Sequence, residues 1–180
     1  MNPYITPTDI RFDPTKLCSN LEYLSKKHPH PISLRTVAGD VDDPYSYGSR
    51  SLYDSKGGIA WESDSNWVRY IPQIEKLYVV DVVKQIEMYA AEHLSCKVGR
   101  ARLLSLNPKE CYTYHRDIDN ILRIHVPVIT NDKCLFINDD IVGRMPEAGR
   151  MYLFNTLVMH TALNASRERR THLVVNCYKY

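Results

Sequence analysis

Leu122-Arg123-Ile124-His125-Val126-Pro127-Val128 and Arg170-Thr171-His172-Leu173-Val174-Val175-Asn176-Cys177 decide the reading of this chain. In each stretch the side chains alternate with a period of two, the pattern of a strand. Leu122, Ile124, Val126 and Val128 share one face of the first, and Arg123 and His125 share the other. In the second, Thr171, Leu173, Val175 and Cys177 share one face, while Arg170, His172, Val174 and Asn176 share the other. A simple sandwich would turn such polar faces to solvent. A ligand-binding barrel would turn them inward, toward an anion. Alternation by itself leaves both arrangements open.

The period of two begins at about Gly99. Further strands are predicted over Arg102–Leu106, Cys111–His115, Lys133–Ile137, Arg150–Phe154 and His160–Leu163. Turn signals separate them at Asn107-Pro108, Asp117 to Asn120, Thr130-Asn131-Asp132, Asn138-Asp139-Asp140 and Glu147-Ala148-Gly149. Short strands at this spacing predict a sandwich or jelly roll. Upstream the pattern differs. Ile71, Ile74, Val79, Val82, Val83, Ile86, Ala90 and Leu94 make one apolar stripe and predict a helix over Ile71–Ser95. Its β-branched residues lower its intrinsic propensity, so packing against a sheet must hold it. A short helix over Asp13–Lys26 would have Asp13 as cap and Pro14 at its first position. Ile32–Val37 reads as a strand. From Ala38 to Trp67 the composition suits loops, where Trp61, Trp67, Arg50 and Tyr45-Ser46-Tyr47 are candidates for a substrate lid.

The 180 residues are 44% hydrophobic and 24% charged, which suits one soluble domain. A net charge of +2 gives no electrostatic case for a nucleic-acid partner. No apolar run reaches the length of a membrane span. The start, Met1 to Pro7, has neither a basic region nor an apolar stretch, so the expectation is a cytoplasmic protein without a secretory signal. Cys18, Cys96, Cys111, Cys134 and Cys177 are odd in number and form no C-x-x-C, which points to reduced thiols rather than a disulfide or zinc framework.

His115-Arg116-Asp117, with His160 far downstream and Arg170 ten residues later, carries the chemistry. The ends of an H-x-D step can hold one face of a metal ion, and a distant His can complete the set. Two neutral imidazoles, one carboxylate and open positions form the ligand set of non-haem Fe(II) oxygenases. Alone, His115 and Asp117 would read as a surface His and a turn Asp, and His160 as a core His. Arg170 could hold a co-substrate carboxylate through its planar fork. The protein-kinase H-R-D reading fails, because the required Asn would fall at Leu122 and there is no G-x-G-x-x-G loop. A zinc hydrolase with the same three ligands would leave Arg170 and the Arg123–His125 face unexplained.

The ordered set resembles the aspartyl/asparaginyl β-hydroxylase family of Fe(II)- and 2-oxoglutarate-dependent oxygenases, which also takes in hydroxylases of free proline. The matching residues are Tyr114-His115-Arg116-Asp117, Leu122-Arg123-Ile124-His125-Val126-Pro127, Gly149 through Phe154-Asn155-Thr156, His160, Asn164, and Arg170-Thr171-His172-Leu173-Val174. They span about Gly99 to Cys177, a little under half the chain. The resemblance implies a double-stranded β-helix, a jelly-roll core over about 99–178, in a mainly β (α+β) domain. Residues 1–98 would supply supporting helices and substrate loops. It implies iron on His115, Asp117 and His160, and 2-oxoglutarate on Arg170 with help from Arg123 and His125. Ser105 is a further co-substrate candidate, and Tyr112, Tyr114 and His172 are substrate-binding candidates. Some protein-hydroxylating members have Gly at the carboxylate ligand; Asp117 is shared with the free-amino-acid hydroxylases. The implied reaction is hydroxylation of an amino acid or amino-acid side chain with O2, releasing succinate and CO2, with ascorbate as a possible support. The same chemistry on a nucleotide or other metabolite, or a non-catalytic jelly-roll binder, remains an alternative. The partner would be a small-molecule or peptide substrate.

Overall fold

A computed structural model of the chain describes residues 2–28, 31–36, 52–53, 59–60, 67–117 and 121–180. In chain order its elements are β1 (Ile5–Arg11), α1 (Pro14–Ser25), β2 (Ile32–Ser33), β3 (Arg35–Thr36), β4 (Leu52–Tyr53), β5 (Ile59–Ala60) and β6 (Arg69–Tyr70). A 3-10 turn (Pro72–Ile74) leads to α2 (Tyr78–Leu94). Then follow β7 (Cys96–Leu106), β8 (Leu122–Ile129), β9 (Cys134–Asn138), β10 (Ile141–Arg144), β11 (Arg150–Phe154), β12 (His160–Asn164) and β13 (Arg170–Lys179).

Two antiparallel sheets make the jelly roll. The large one has the order β1-β11-β8-β13-β7-β2 and the small one β10-β9-β12. α1 and α2 cover the outer face of the large sheet. Leu17, Leu21, Val79, Val83 and Ile86 from the helices share a core with Ile124, Val126, Leu173, Val175, Ala101 and Leu103 from the strands. That packing decides the question alternation left open. The helices take the apolar faces of β8 and β13, so the faces carrying Arg123, His125, Arg170 and His172 turn inward, between the two sheets. A second, smaller core lies there: Ile5, Leu106, Phe136, Met145, Tyr152, Phe154 and Ala162.

Local chemistry fixes the ends of these elements. Asp13 caps α1 by accepting from the backbone N–H groups of Thr15 and Lys16, and Pro14 opens the helix. Gly149 has φ +78°, and a Cβ there would lie 2.2 Å from the Phe12 carbonyl oxygen. Its carbonyl accepts from Phe12 N–H and its own N–H donates to Pro127, so only Gly lets three segments meet here.

The structure departs from the expected elements in several places. The helix expected from Ile71 begins at Tyr78. Ile71 and Ile74 are buried, which continues the apolar stripe, but they lie in and before the 3-10 turn that Pro72 opens. The strand expected over Ile32–Val37 divides at Leu34: Ile32 and Ser33 pair with β7, and Arg35 and Thr36 with β6. Cys111–His115 forms no strand, only two isolated bridges, Cys111 to Leu163 and His115 to His160. β7 starts six residues before Arg102, and β1 and β10 were not expected at all. β1 and β2 stand in the large sheet, so the core draws strands from before residue 99 as well as after it. Tyr45-Ser46-Tyr47, Arg50 and Trp61 lie outside the described residues. Trp67 is buried, with the Arg100 guanidinium 4.3 Å above its ring, which is a packed position rather than a loop surface.

Candidate active site

The bridge between His115 and His160 builds the site. His115 N–H donates to the His160 carbonyl at 3.0 Å and His160 N–H to the His115 carbonyl at 2.6 Å. The two imidazoles therefore stand side by side, with ring centroids 4.6 Å apart. Asp117, two residues on, is pinned by its own N–H, which donates to the Thr156 carbonyl at 3.0 Å. One ligand atom from each of His115, Asp117 and His160 falls within 4.8 Å of the other two.

Both histidines are held in the tautomer a metal needs. Nδ1 of His115 lies 2.6 Å from the Thr113 carbonyl, and Nδ1 of His160 lies 2.9 Å from the Val158 carbonyl. A carbonyl can only accept, so each Nδ1 carries the proton and each Nε2 keeps its lone pair. Nε2 of His160 is buried with no hydrogen-bond partner among the described residues. Burial, above all, lowers the His160 pKa below the ordinary 6.5, which keeps the ring neutral. A buried, partnerless lone pair beside a second imidazole and a carboxylate fits a divalent cation. His115 is the most exposed ligand, at 31%, against 1% for the Asp117 side chain.

Arg170 lies deeper. It is 2% exposed, and its guanidinium stacks 4.7 Å over the Phe136 ring. Among the described residues no carboxylate lies within ion-pairing distance of it. Burial pushes its pKa down to about 10, still far above neutrality, so it remains a buried cation. Its Nη2 donates to Nδ1 of His172 at 3.0 Å. Nδ1 of His125 lies 3.4 Å from the same atom. Because His172 Nδ1 already accepts from Arg170, the His125 Nδ1 must be the donor. An unpaired buried cation is costly unless an anion completes it, so the surroundings of Arg170 suit a carboxylate.

A family model for aspartyl/asparaginyl β-hydroxylase matches residues 72–179, well over half of the chain. This chain belongs to the aspartyl/asparaginyl β-hydroxylase family. No curated protein matches it in sequence. Among solved structures it is similar to a 2OG-Fe(II) oxygenase family oxidoreductase from Burkholderia pseudomallei, with TM-score 0.62 and 13% identity over 98% of this chain and 84% of that one. It is also similar to a viral collagen prolyl hydroxylase from Paramecium Bursaria Chlorella virus-1, with TM-score 0.61 and 10% identity over 99% and 97% of the two chains. A Pseudomonas putida prolyl-4-hydroxylase gives TM-score 0.55 and 11% identity over 98% and 93%. At these identities the likeness shows a shared fold, the jelly roll described above.

The remaining candidates fall in different places. His125 and His172 line the interior beside Arg170, packed edge-on or tilted against Phe136. Arg123, expected to help hold the co-substrate, donates from Nη2 to Oδ1 of Asp117 at 2.8 Å. Ser105 faces away from Arg170: its hydroxyl lies 2.8 Å from that of Thr171, on the opposite face of β13. Tyr112 is exposed, and its hydroxyl donates to the Ser105 carbonyl at 3.5 Å. Tyr114 turns outward and donates from its hydroxyl to the Asp139 carbonyl at 3.1 Å. Phe136, in contact with Arg170, His125 and His172, belongs to the site's walls, although it did not stand out in the sequence. Phe136 sits on the inner face of a correctly expected strand, and that parity was its only signal.

The two inner histidines predict an acid-labile fold. Burial first, then the Arg170 charge, holds the pKa of His125 and of His172 well below 6.5. In the unfolded chain each takes a proton near pH 6.5; in the folded chain neither does until much lower pH. The unfolded state then binds more protons, so stability falls as pH drops below about 6.5. The slope approaches about 1.4 kcal/mol per pH unit for each histidine, or about 2.7 for the pair. His160 acts in the same direction. Urea unfolding of the metal-free protein between pH 7.5 and 5 measures this, and a flat profile would show that the pair is not held neutral.

Proposed function

We propose that this protein is an Fe(II)- and 2-oxoglutarate-dependent dioxygenase that hydroxylates an amino acid or an amino-acid side chain, with release of succinate and CO2. The observation that carries the reading is the pairing of two features across one interior. His115, Asp117 and His160 converge to within 4.8 Å, and Arg170 is a buried cation with no carboxylate among the described residues. Fe(II) bound by those three residues would supply the activation of O2 that couples decarboxylation of 2-oxoglutarate to hydroxylation of a C–H bond. The chain's own residues do the rest. Three ligands on one face leave positions open for co-substrate and O2. The Thr113 and Val158 carbonyls fix the imidazole tautomers. Arg170, backed by His172 and seated on Phe136, orients the distal carboxylate of 2-oxoglutarate. Phe136, Phe154 and Leu106 exclude water from the space between.

Asp117, shared with hydroxylases of free amino acids, supports the amino-acid substrate. The segments before about residue 99 would supply support and substrate loops within one domain. Ascorbate would serve only to keep iron reduced. No helix among the described residues is long and apolar enough to cross a membrane. All five cysteines are free thiols, which supports a reducing compartment such as the cytoplasm.

The test is an anaerobic titration of Fe(II) into metal-free protein with 2-oxoglutarate, followed by visible absorption. A metal-to-ligand charge-transfer band that needs both components is expected. A folded protein that gives no band would overturn the reading and bring forward a jelly-roll binder. With the band in place, mass spectrometry after aerobic incubation with free amino acids, peptides and nucleotides identifies the substrate class.

A further inference from the structure

We propose that Arg123 is a positioning residue for Asp117, one that commits the carboxylate to a single metal-facing oxygen. The inference rests on the metal reading above. It starts from β8. Arg123 sits in the middle of the large sheet, paired with Phe154 on β11 and with Asn176 on β13. Its backbone is therefore fixed on both sides. Its side chain is 16% exposed and that of Asp117 1%, and they meet at 2.8 Å between Nη2 and Oδ1. The same Oδ1 lies 3.6 Å from Nε2 of His115. Asp117 is thus held at its backbone by Thr156 and at one carboxylate oxygen by Arg123.

Two consequences follow. A carboxylate can ligate through one oxygen or through both. Bidentate ligation would take up a position that the co-substrate or O2 needs. A guanidinium held on Oδ1, the oxygen beside His115 Nε2, opposes it, because that contact fixes the tilt of the carboxylate and keeps its two oxygens from approaching the metal equally. The second consequence concerns the protein before metal binds. A carboxylate this buried is unfavourable without a counter-charge. Arg123 supplies the charge, so the ligand stands in place ahead of the metal. In this arrangement the inward face of β8 divides its work: His125 lies beside Arg170, and Arg123 serves the metal ligand. Partners behind metal ligands commonly change metal affinity by about 10–100-fold when removed.

The test compares wild type with Arg123→Lys and Arg123→Gln. Lysine keeps the charge but loses the planar fork; glutamine keeps a donor but loses the charge. Co(II) is the probe, since its ligand-field spectrum reports coordination number. Both variants are expected to show an altered Co(II) spectrum, and Arg123→Lys to bind Co(II) about 10-fold more weakly or worse. Variants that keep the wild-type spectrum and affinity while the KM for a substrate rises would place Arg123 on the substrate and overturn the inference. Wild type that fails to bind Co(II) would overturn the metal reading itself. A second measurement needs no variant. On adding Mn(II) to the unaltered protein, the difference infrared spectrum should show the wide splitting of carboxylate stretches that one-oxygen ligation gives. A narrow splitting would mean bidentate Asp117 and would refute the role of Arg123.

Discussion

Replacing His160 with alanine abolishes turnover and weakens metal binding by more than about 100-fold, since even losing the partner behind a ligand costs about 10–100-fold. His160 is the ligand with least alternative employment. It is 3% exposed, and its Nε2 has no hydrogen-bond partner among the described residues. With Nε2 gone, His115 and Asp117 form a two-point site, too weak to fix metal geometry. The fold should survive the change. His160 contributes an edge-on contact to Phe154 at 5.2 Å, but its strand remains paired with β9 across five residues. The measurement is succinate formation together with Co(II) affinity, alongside circular dichroism to confirm folding. A folded variant with wild-type turnover would remove His160 from the ligand set. His160→Gln adds a useful contrast, because an amide oxygen reaching the same place should recover some metal affinity without restoring the imidazole.

The sequence exposed this site well because its key residues obey local rules. Arg123 with His125, and Arg170 with His172, share faces because a pleated strand forces alternation, and β8 and β13 are long enough to display it. Which way those faces point was not local. It depends on α1 and α2 claiming the opposite face, and α1 lies more than a hundred residues from β8 and β13 in sequence. The same parity argument contained the answer for Ser105. It alternates with Leu104 and Leu106 and shares its face with core Leu103, so it could not join Arg170, whose partner in register is Leu106.

Other features had no local signal. Arg123 and Asp117 are six residues apart, a separation that no period selects, and their contact depends on how the chain returns into β8. Ile71 and Ile74 mimic a helical stripe because they are buried by the same core as α2, while Pro72 opens a 3-10 turn that leaves Ile71 extended before it and takes Ile74 as its last residue. β1 reads Ile-Thr-Pro-Thr-Asp-Ile-Arg, polar and interrupted by Pro7, and joins the sheet only at its edge, where a missing N–H is tolerated.

Replacing Arg170 with alanine should raise the KM for 2-oxoglutarate by about 30-fold or more while leaving metal affinity nearly unchanged. A charge-assisted pair between a desolvated guanidinium and a carboxylate contributes about 2–5 kcal/mol, and 1.4 kcal/mol corresponds to tenfold. Removing the guanidinium also leaves Nδ1 of His172 without its 3.0 Å donor and uncovers the face of Phe136. A stability loss is therefore expected too, and KM alone would not separate it from a binding role. Discrimination between co-substrates does. Wild type should strongly prefer 2-oxoglutarate over a 2-oxo acid that lacks the distal carboxylate, because only the former completes the buried cation. In Arg170→Ala that preference should largely collapse, as both compounds then make the same contacts; general loosening of the fold would weaken both alike and leave their ratio intact. Arg170→Lys should fall between the two, keeping the charge but losing the planar fork. A wild-type preference ratio in the alanine variant would assign the distal carboxylate to another cation and leave Arg170 as a structural residue over Phe136.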